Sequence, residues 1–311
     1  MTFGKRYGNI FWHEARRFSM FHHISNSFLD ITISEHGAEM MSIQNKAGIE
    51  FLWQGDKAYW SNRAMNLFPY IARLTQGCYR YQGKLYHLPI HGFAPTATYK
   101  ARQNAEDHIT FTLKNSENYY ENYPFLFTFS ISYQLIENTL RVQYTVENKD
   151  HREMIFALGG HPGFNVPMES GLTFNDYKLT FSSDSLKRVE FSDDCFVTGE
   201  ETPFPLEEKS YSLHHGMFDH DAIVLTNVPE HVCLHSDKGN NTITLIAPDF
   251  PFWGFWHTPR TEAPFLCMEP WSALPSRQGR IEDLETQKHL THLSPGKRHE
   301  RSWMLRFDGL H

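Results

Sequence analysis

Phe125, Phe127, Phe129, Ile131, Tyr133 and Leu135 occupy every second position of one stretch, with Thr128, Ser130, Ser132 and Gln134 between them. Successive side chains of a β-strand point to opposite faces, so this spacing predicts a strand buried on one side. Glu137 and Asn138 interrupt it. Leu140, Val142, Tyr144 and Val146 then resume the same period, which predicts an antiparallel hairpin. The pattern recurs along the chain. Leu29, Ile31 and Ile33 alternate with Asp30, Thr32 and Ser34, a return strand starts over 41–43, and Ile109, Phe111 and Leu113 alternate with threonines. Apolar runs at 49–53, 178–181, 222–225, 232–235, 242–246 and 303–307 read as further strands. One short helix is expected, over 282–290.

Strands this numerous, separated by Gly, Asn, Asp and Pro turns, predict an all-β protein, a large antiparallel β-sandwich whose inward faces form the core. No fixed-period repeat or low-complexity linker divides the 311 residues, so residues 26–311 are expected to be a single domain. Residues 1–25 are basic, aromatic and irregular, and are expected to be an N-terminal extension.

Composition sharpens this picture. Hydrophobic residues at 40% and charged residues at 21% describe a globular chain and not a disordered one. Aromatics reach 15%, more than strand propensity alone asks for, and a flat ring also covers the C–H face of a pyranose. The net charge of -7 is spread without a long basic run, which argues against nucleic acid as a partner. No apolar run approaches the roughly 18 residues of a membrane span, and the N-terminal stretch lacks the apolar centre of a secretory signal. Cys78, Cys195, Cys233 and Cys267 are dispersed without CxxC spacing, as expected of reduced thiols in a cytoplasmic protein.

Three stretches carry candidate chemistry. Residues 66–93 read as a hairpin turning at 82–84, with Arg73 before it and His91 after it; Pro69 and Pro89 mark edges or loop entries. In LGGHPGFNVP, His161 is held between Gly160 and Pro162. In FLCMEPWSAL, Glu269 ends an apolar run, and Pro270 is expected to stop the strand and leave the carboxylate facing a pocket. Each residue alone has a plain structural reading, as a turn histidine, a cap or an ion-pair partner. Their shared setting at loop or strand ends is what joins them into one expected cleft. His214, His215 and His220 supply three imidazoles, but the intervening residues give no helical i, i+4 face, so a solvated loop is expected there and no metal. With no Gly-x-Ser-x-Gly, P-loop or GxGxxG, the serine-hydrolase, nucleotide-hydrolase and dinucleotide readings fall away, and no cofactor is expected.

Taken together, NLFPYIARLTQGCYRYQGKLYHLPIHGF, GGHPGFNVP and PFWGFWHTP with FLCMEPW resemble the landmark segments of the aldose 1-epimerase (galactose mutarotase-like) family. GAEMMSIQNKAGIEFLWQGDKAYW is similar to its divergent LacX-type branch, and a fainter likeness continues in SPGKRHERSWMLRF. The resemblance implies a β-supersandwich with a monosaccharide in a cleft on one sheet, and an isomerase that interconverts α and β anomers. Carried over by position, it implies Glu269 as general base, His161 as general acid, and His91 and Arg73 as residues that bind and polarise the sugar. It also implies an aspartate on the sugar hydroxyls, either Asp219 or Asp221; the apolar strand starts directly after Asp221. His91-Gly92-Phe93 stands where typical galactose mutarotases carry His-Gly-Gly, a departure that bears on the sugar more than on the reaction.

The residue types suit that chemistry on their own. Anomer exchange needs a base for the C1 hydroxyl proton and an acid for the ring oxygen, and a carboxylate with an imidazolium supplies both. Glu269 and His161 are therefore expected to face one pocket, about a pyranose width apart and not directly bonded. Trp256, Phe164 and Trp271 are candidates to cover the sugar's apolar face. A relative acting on hexose 6-phosphates would need a basic cluster, for which Arg63, Arg73 and Arg80 are candidates. A sugar-binding or regulatory protein without catalysis would not need the acid–base pair. A glycosidase would need a second carboxylate in a comparable motif.

Overall fold

The computed structural model describes residues 20–309. Two antiparallel sheets pack into a β-sandwich. The larger runs in the order Ser210–Ser212, Tyr177–Phe181, His231–Ser236, Thr242–Ile246, Arg298–Asp308, Thr139–Asn148, Phe127–Ile136, His108–Lys114 and Lys100–Ala105. The smaller runs Val197–Pro203, Lys187–Phe191, Ile223–Thr226, Phe252–Trp256, Phe265–Trp271, Gly159–Asn165 and Ala64–Leu67. A three-stranded sheet of Phe21–Ser25, Leu29–Ser34 and Met40–Asn45 flanks them, and Cys78–Tyr81 pairs with Lys84–His87 as the expected hairpin.

The alternating segments fold as their pattern dictates. Phe129, Ile131, Tyr133 and Leu135 oppose Val146, Tyr144, Val142 and Leu140, and all eight are buried. Phe265–Trp271 differs, being buried at every position because one face meets the core and the other lies under cleft aromatics. The two sheets approach closely at Gly160, where a Cβ would lie 2.8 Å from Trp303 Cζ2 and 3.2 Å from the Tyr144 hydroxyl. Beside it a buried polar network crosses the sandwich. The Tyr133 hydroxyl donates to the Ala38 carbonyl at 2.7 Å and accepts from Asn66 Nδ2 at 2.9 Å, while Asn66 Oδ1 lies 3.0 Å from the Tyr144 hydroxyl. Satisfied buried networks of this kind are costly to break, so they fix how one sheet sits on the other. Asn66 pairs with Gly160 across the Ala64–Leu67 edge, which carries that constraint to the strand holding His161.

Several expectations are corrected. Residues 282–290 are not helical. The Glu282 carbonyl accepts from the Arg80 amide and the Leu284 amide donates to the Arg80 carbonyl, both at 2.8 Å, so these main-chain groups serve the 78–87 hairpin and not a helical turn. Among the described residues the α-helix is a single turn, Glu117–Tyr120, beside four short 3-10 turns. Over 49–53 there are only isolated bridges, Gln44 with Glu50 and Leu52 with Phe164. Here the Glu50 carboxylate takes the amides of Ile43 and Leu52 at 2.8 and 2.9 Å, which interrupts the ladder although the Phe51 amide still donates to the Ile43 carbonyl at 2.9 Å. The end of the expected N-terminal extension, by contrast, is not overturned: Phe21–Ser25 is an edge strand paired with Leu29–Ser34, and residues 1–19 lie outside the described residues. The four cysteines are free thiols, and among the described residues no helix is long and apolar enough to cross a membrane.

Candidate functional site

The strands Gly159–Asn165 and Phe265–Trp271 pair with Gly159 opposite Trp271 and Gly163 opposite Cys267, a register that sets His161 across from Glu269. Pro162 and Pro270 lack an N–H, so the ladder loses hydrogen bonds here while the strands continue. His161 is therefore a strand residue and not a turn histidine, and Pro270 does not stop its strand. Directly opposed side chains start with their Cβ atoms about 5 Å apart. His161 Nε2 accordingly lies 3.4 Å from Glu269 Oε2, which corrects the expected gap of a pyranose width.

Glu269 is 1% exposed and also accepts from Trp271 Nε1 at 3.1 Å; His161 is 7% exposed, with Nδ1 buried and unpartnered. Burial holds the Glu269 carboxyl well above the usual carboxylate range. It pushes the His161 imidazole well below the usual histidine range, helped by His91. Both shifts favour an uncharged pair, a protonated carboxyl beside a neutral imidazole.

His91 and Arg73 arrive on the loops that flank the hairpin. His91 has a φ of +65°, and Gly92 after it, at +73°, is required as glycine because a Cβ would sit 2.3 Å from the Phe68 carbonyl oxygen. His91 Nδ1 accepts from the Ala72 amide at 3.2 Å, which leaves Nε2 as the protonated nitrogen of the neutral ring. Desolvation, with Arg73 adding to it, lowers the His91 pKa to about 4. The Arg73 guanidinium lies 3.5 Å from Asp221 Oδ2 and donates to the Asp194 carbonyl at 3.3 Å. That pair is partly exposed, so it contributes little stability and serves to orient both groups.

A cleft of about 460 Å³ gathers these side chains. Arg73, His91, His161, Asp221, Trp256 and Glu269 all line it, as does Trp271. Trp60, which the sequence reading did not single out, stacks on His161 with ring centroids 4.9 Å apart and planes at 27°, and Trp256 meets both rings edge-on. Cys195, with a φ of +62°, and Glu39 are further lining residues that were missed. Trp60 left a signal, an aromatic closing the turn-rich DKAYW; Cys195 left none. Asp219, Phe164, Arg63 and Arg80 are not among the lining residues. The Arg63 guanidinium is engaged by the Met41 carbonyl and by Gln54 Oε1.

The His214–His220 group does not converge. His215 Nδ1 is bonded to His257 Nε2 at 3.1 Å, His220 lines the cleft and His214 is exposed. Among the described residues, the side chains grouped as metal donors are instead His161, Cys267 and Glu269, with ligand atoms within 4.8 Å of one another.

Comparison with known proteins agrees with this architecture. The chain is 30% identical over 282 residues to the chromosomal protein LacX of Lactococcus lactis subsp. lactis, a match covering 88% of this chain and 94% of that protein. Among solved structures it resembles a galactose mutarotase related enzyme from Lactobacillus acidophilus, with 32% identity and a TM-score of 0.87 over 93% and 97% of the two chains. A galactose mutarotase-like protein from Lactobacillus casei gives 33% identity and a TM-score of 0.88 over 93% and 100%. The sequence model for aldose 1-epimerase matches residues 20–294, and the chain belongs to that family.

Proposed function

We propose that the protein is a mutarotase that interconverts the α and β anomers of an uncharged aldohexose. The observation that carries this reading is the buried Glu269–His161 pair, opposed across two central strands on the floor of a sugar-sized cleft. The cleft volume lies in the roughly 300–1,000 Å³ range of small-molecule sites. The two oxygens that exchange protons, O1 and O5, are bonded to the same carbon, so the acid and base need not straddle the ring. A pair 3.4 Å apart suits them, with the pyranose lying over the pair.

In the reactive arrangement Glu269 is ionised and His161 carries a proton on Nε2. This has the same proton count as the resting neutral pair. Glu269 takes the C1 hydroxyl proton, the C1–O5 bond breaks, and His161 protonates O5. Rotation about C1–C2 and closure on the other face of the aldehyde reverse both transfers. The His91 Nε2–H and the Arg73 guanidinium donate to sugar oxygens, Asp221 accepts from hydroxyls, and Trp60 and Trp256 cover the apolar face. Among the described residues one arginine lines the cleft, and it is already paired with Asp221, which favours an uncharged sugar over a hexose 6-phosphate. The free thiols fit a reducing compartment such as the cytoplasm.

The test is polarimetry of freshly dissolved α-D-glucose and α-D-galactose with and without the protein. A protein-dependent rise in the rate of rotation change is expected for at least one. Sugar binding without any acceleration would overturn the reading in favour of a non-catalytic binding protein.

A further inference from the structure

We propose that His161, Cys267 and Glu269 form a binding site for a zinc-like divalent transition-metal ion in the floor of the cleft, occupied in competition with the sugar. Cys267 and Glu269 are two residues apart on one strand, so both side chains leave the same face, and His161 reaches that face from the strand beside them. Their donor atoms lie within 4.8 Å of one another. The His161 Nε2 and Glu269 Oε2 atoms, 3.4 Å apart, already have the separation that two ligands at about 2.0–2.1 Å adopt around a tetrahedral ion.

Two further observations bear on the site. The residue across from Cys267 is Gly163, so the sulfur faces no side chain from the paired strand; the Trp60 ring fills that space instead and would have to shift for the sulfur to reach an ion. His161 Nδ1 is buried without a partner, so an ion taken at Nε2 displaces no hydrogen bond from the other ring nitrogen. A nitrogen, a sulfur and a carboxylate oxygen select zinc or cobalt over magnesium or calcium. Three protein ligands leave a fourth position; His161 and Glu269 line the cleft and Cys267 lies behind them, so that position opens towards the cleft on their side.

The binding claim stands without the mutarotase reading. Its kinetic consequence rests on that reading: an ion held by Glu269 and His161 removes both proton carriers at once, so zinc is an inhibitor here and not a cofactor.

The experiment titrates Co²⁺ into the full chain. A thiolate-to-cobalt charge-transfer band in the near ultraviolet is expected, with visible bands of a four-coordinate ion and displacement by Zn²⁺. The band should vanish in Cys267→Ser and persist in Cys195→Ser, with folding checked by circular dichroism. X-ray absorption on the zinc-loaded wild-type chain should find one sulfur at about 2.3 Å beside nitrogen and oxygen ligands, a readout that needs no variant. In the anomerisation assay Zn²⁺ should inhibit and EDTA should restore the rate. Half-inhibition should need about tenfold more Zn²⁺ in Cys267→Ser, measured against that variant's own metal-free rate. No thiolate band, a band that survives Cys267→Ser, or a zinc shell of nitrogen and oxygen only would each overturn the site. Should no anomerisation be found at all, the spectroscopic outcome still decides the binding claim.

Discussion

Ala72 and His91 exchange two hydrogen bonds: the Ala72 amide donates to His91 Nδ1 at 3.2 Å, and the His91 amide donates to the Ala72 carbonyl at 3.0 Å. Protonating His91 at Nδ1 would set two donors against each other, and the ring is buried besides. Its pKa of about 4 lies below the ordinary 6.5, so between those values the unfolded chain binds more protons than the folded one. The contribution to stability is therefore whole above about pH 6.5 and is lost as the pH falls towards 4. The urea midpoint of the wild-type chain should drop across that window, and His91→Asn should reduce the slope. Parallel profiles for the two proteins would remove His91 from this account.

Glu269→Gln and His161→Asn should each lower kcat by roughly 10²–10⁴-fold, the usual cost of losing a general acid or base, and should move KM far less. Arg73 and His91 are proposed to contact the sugar before reaction as well, so their substitutions should raise KM along with lowering kcat. Steady-state anomerisation on all four variants, with folding confirmed by circular dichroism, distinguishes the two patterns. A near-normal kcat with raised KM in Glu269→Gln would make that residue a binding group only.

Anomerisation should persist undiminished after dialysis against a strong chelator, because the proposed steps are proton transfers between side chains and sugar. Activity lost on dialysis and restored by added zinc would contradict the mechanism.

Gly160→Ala should destabilise the fold by about 1–3 kcal/mol, the range for forcing atoms into a filled core, because its Cβ would press on Trp303 and Tyr144. Thermal melting measures this directly. An unchanged melting temperature would mean that the sheets yield here, and that Gly160 does not hold the His161 strand at its observed height.

Where local pattern and tertiary packing agree, the sequence was easily read. The 127–148 hairpin is the clearest case, since one buried face imposes period two on both strands. Arg73, His91, His161 and Glu269, which share the cleft, are conspicuous in the sequence because each sits among glycines, prolines and aromatics that stand out from the strands. The same punctuation misled about geometry. Gly160 and Pro162 resembled a turn, whereas Gly160 makes room for Trp303 and Pro162 tolerates its place where the ladder skips bonds. The opposition of His161 and Glu269 depends on register between segments about a hundred residues apart, which no local pattern encodes. Glu50 illustrates the remaining difficulty: a carboxylate that binds two amides breaks a strand without leaving a mark on hydrophobic spacing.

The proposed acid and base stand on adjoining interior strands of one sheet, whereas Arg73, His91, Asp221 and Trp60 reach the cleft from connecting segments. Register between strands changes only in whole steps, and a one-residue slip would turn either side chain into the core. Connecting segments bend, lengthen and exchange residues at little thermodynamic cost. On the proposed reading, reactivity and most of the sugar contacts are thus carried by separate parts of the chain, Trp256 on its strand excepted. A descendant of this protein can change its diet by redrawing the rim, while the floor passes unchanged from one substrate to the next.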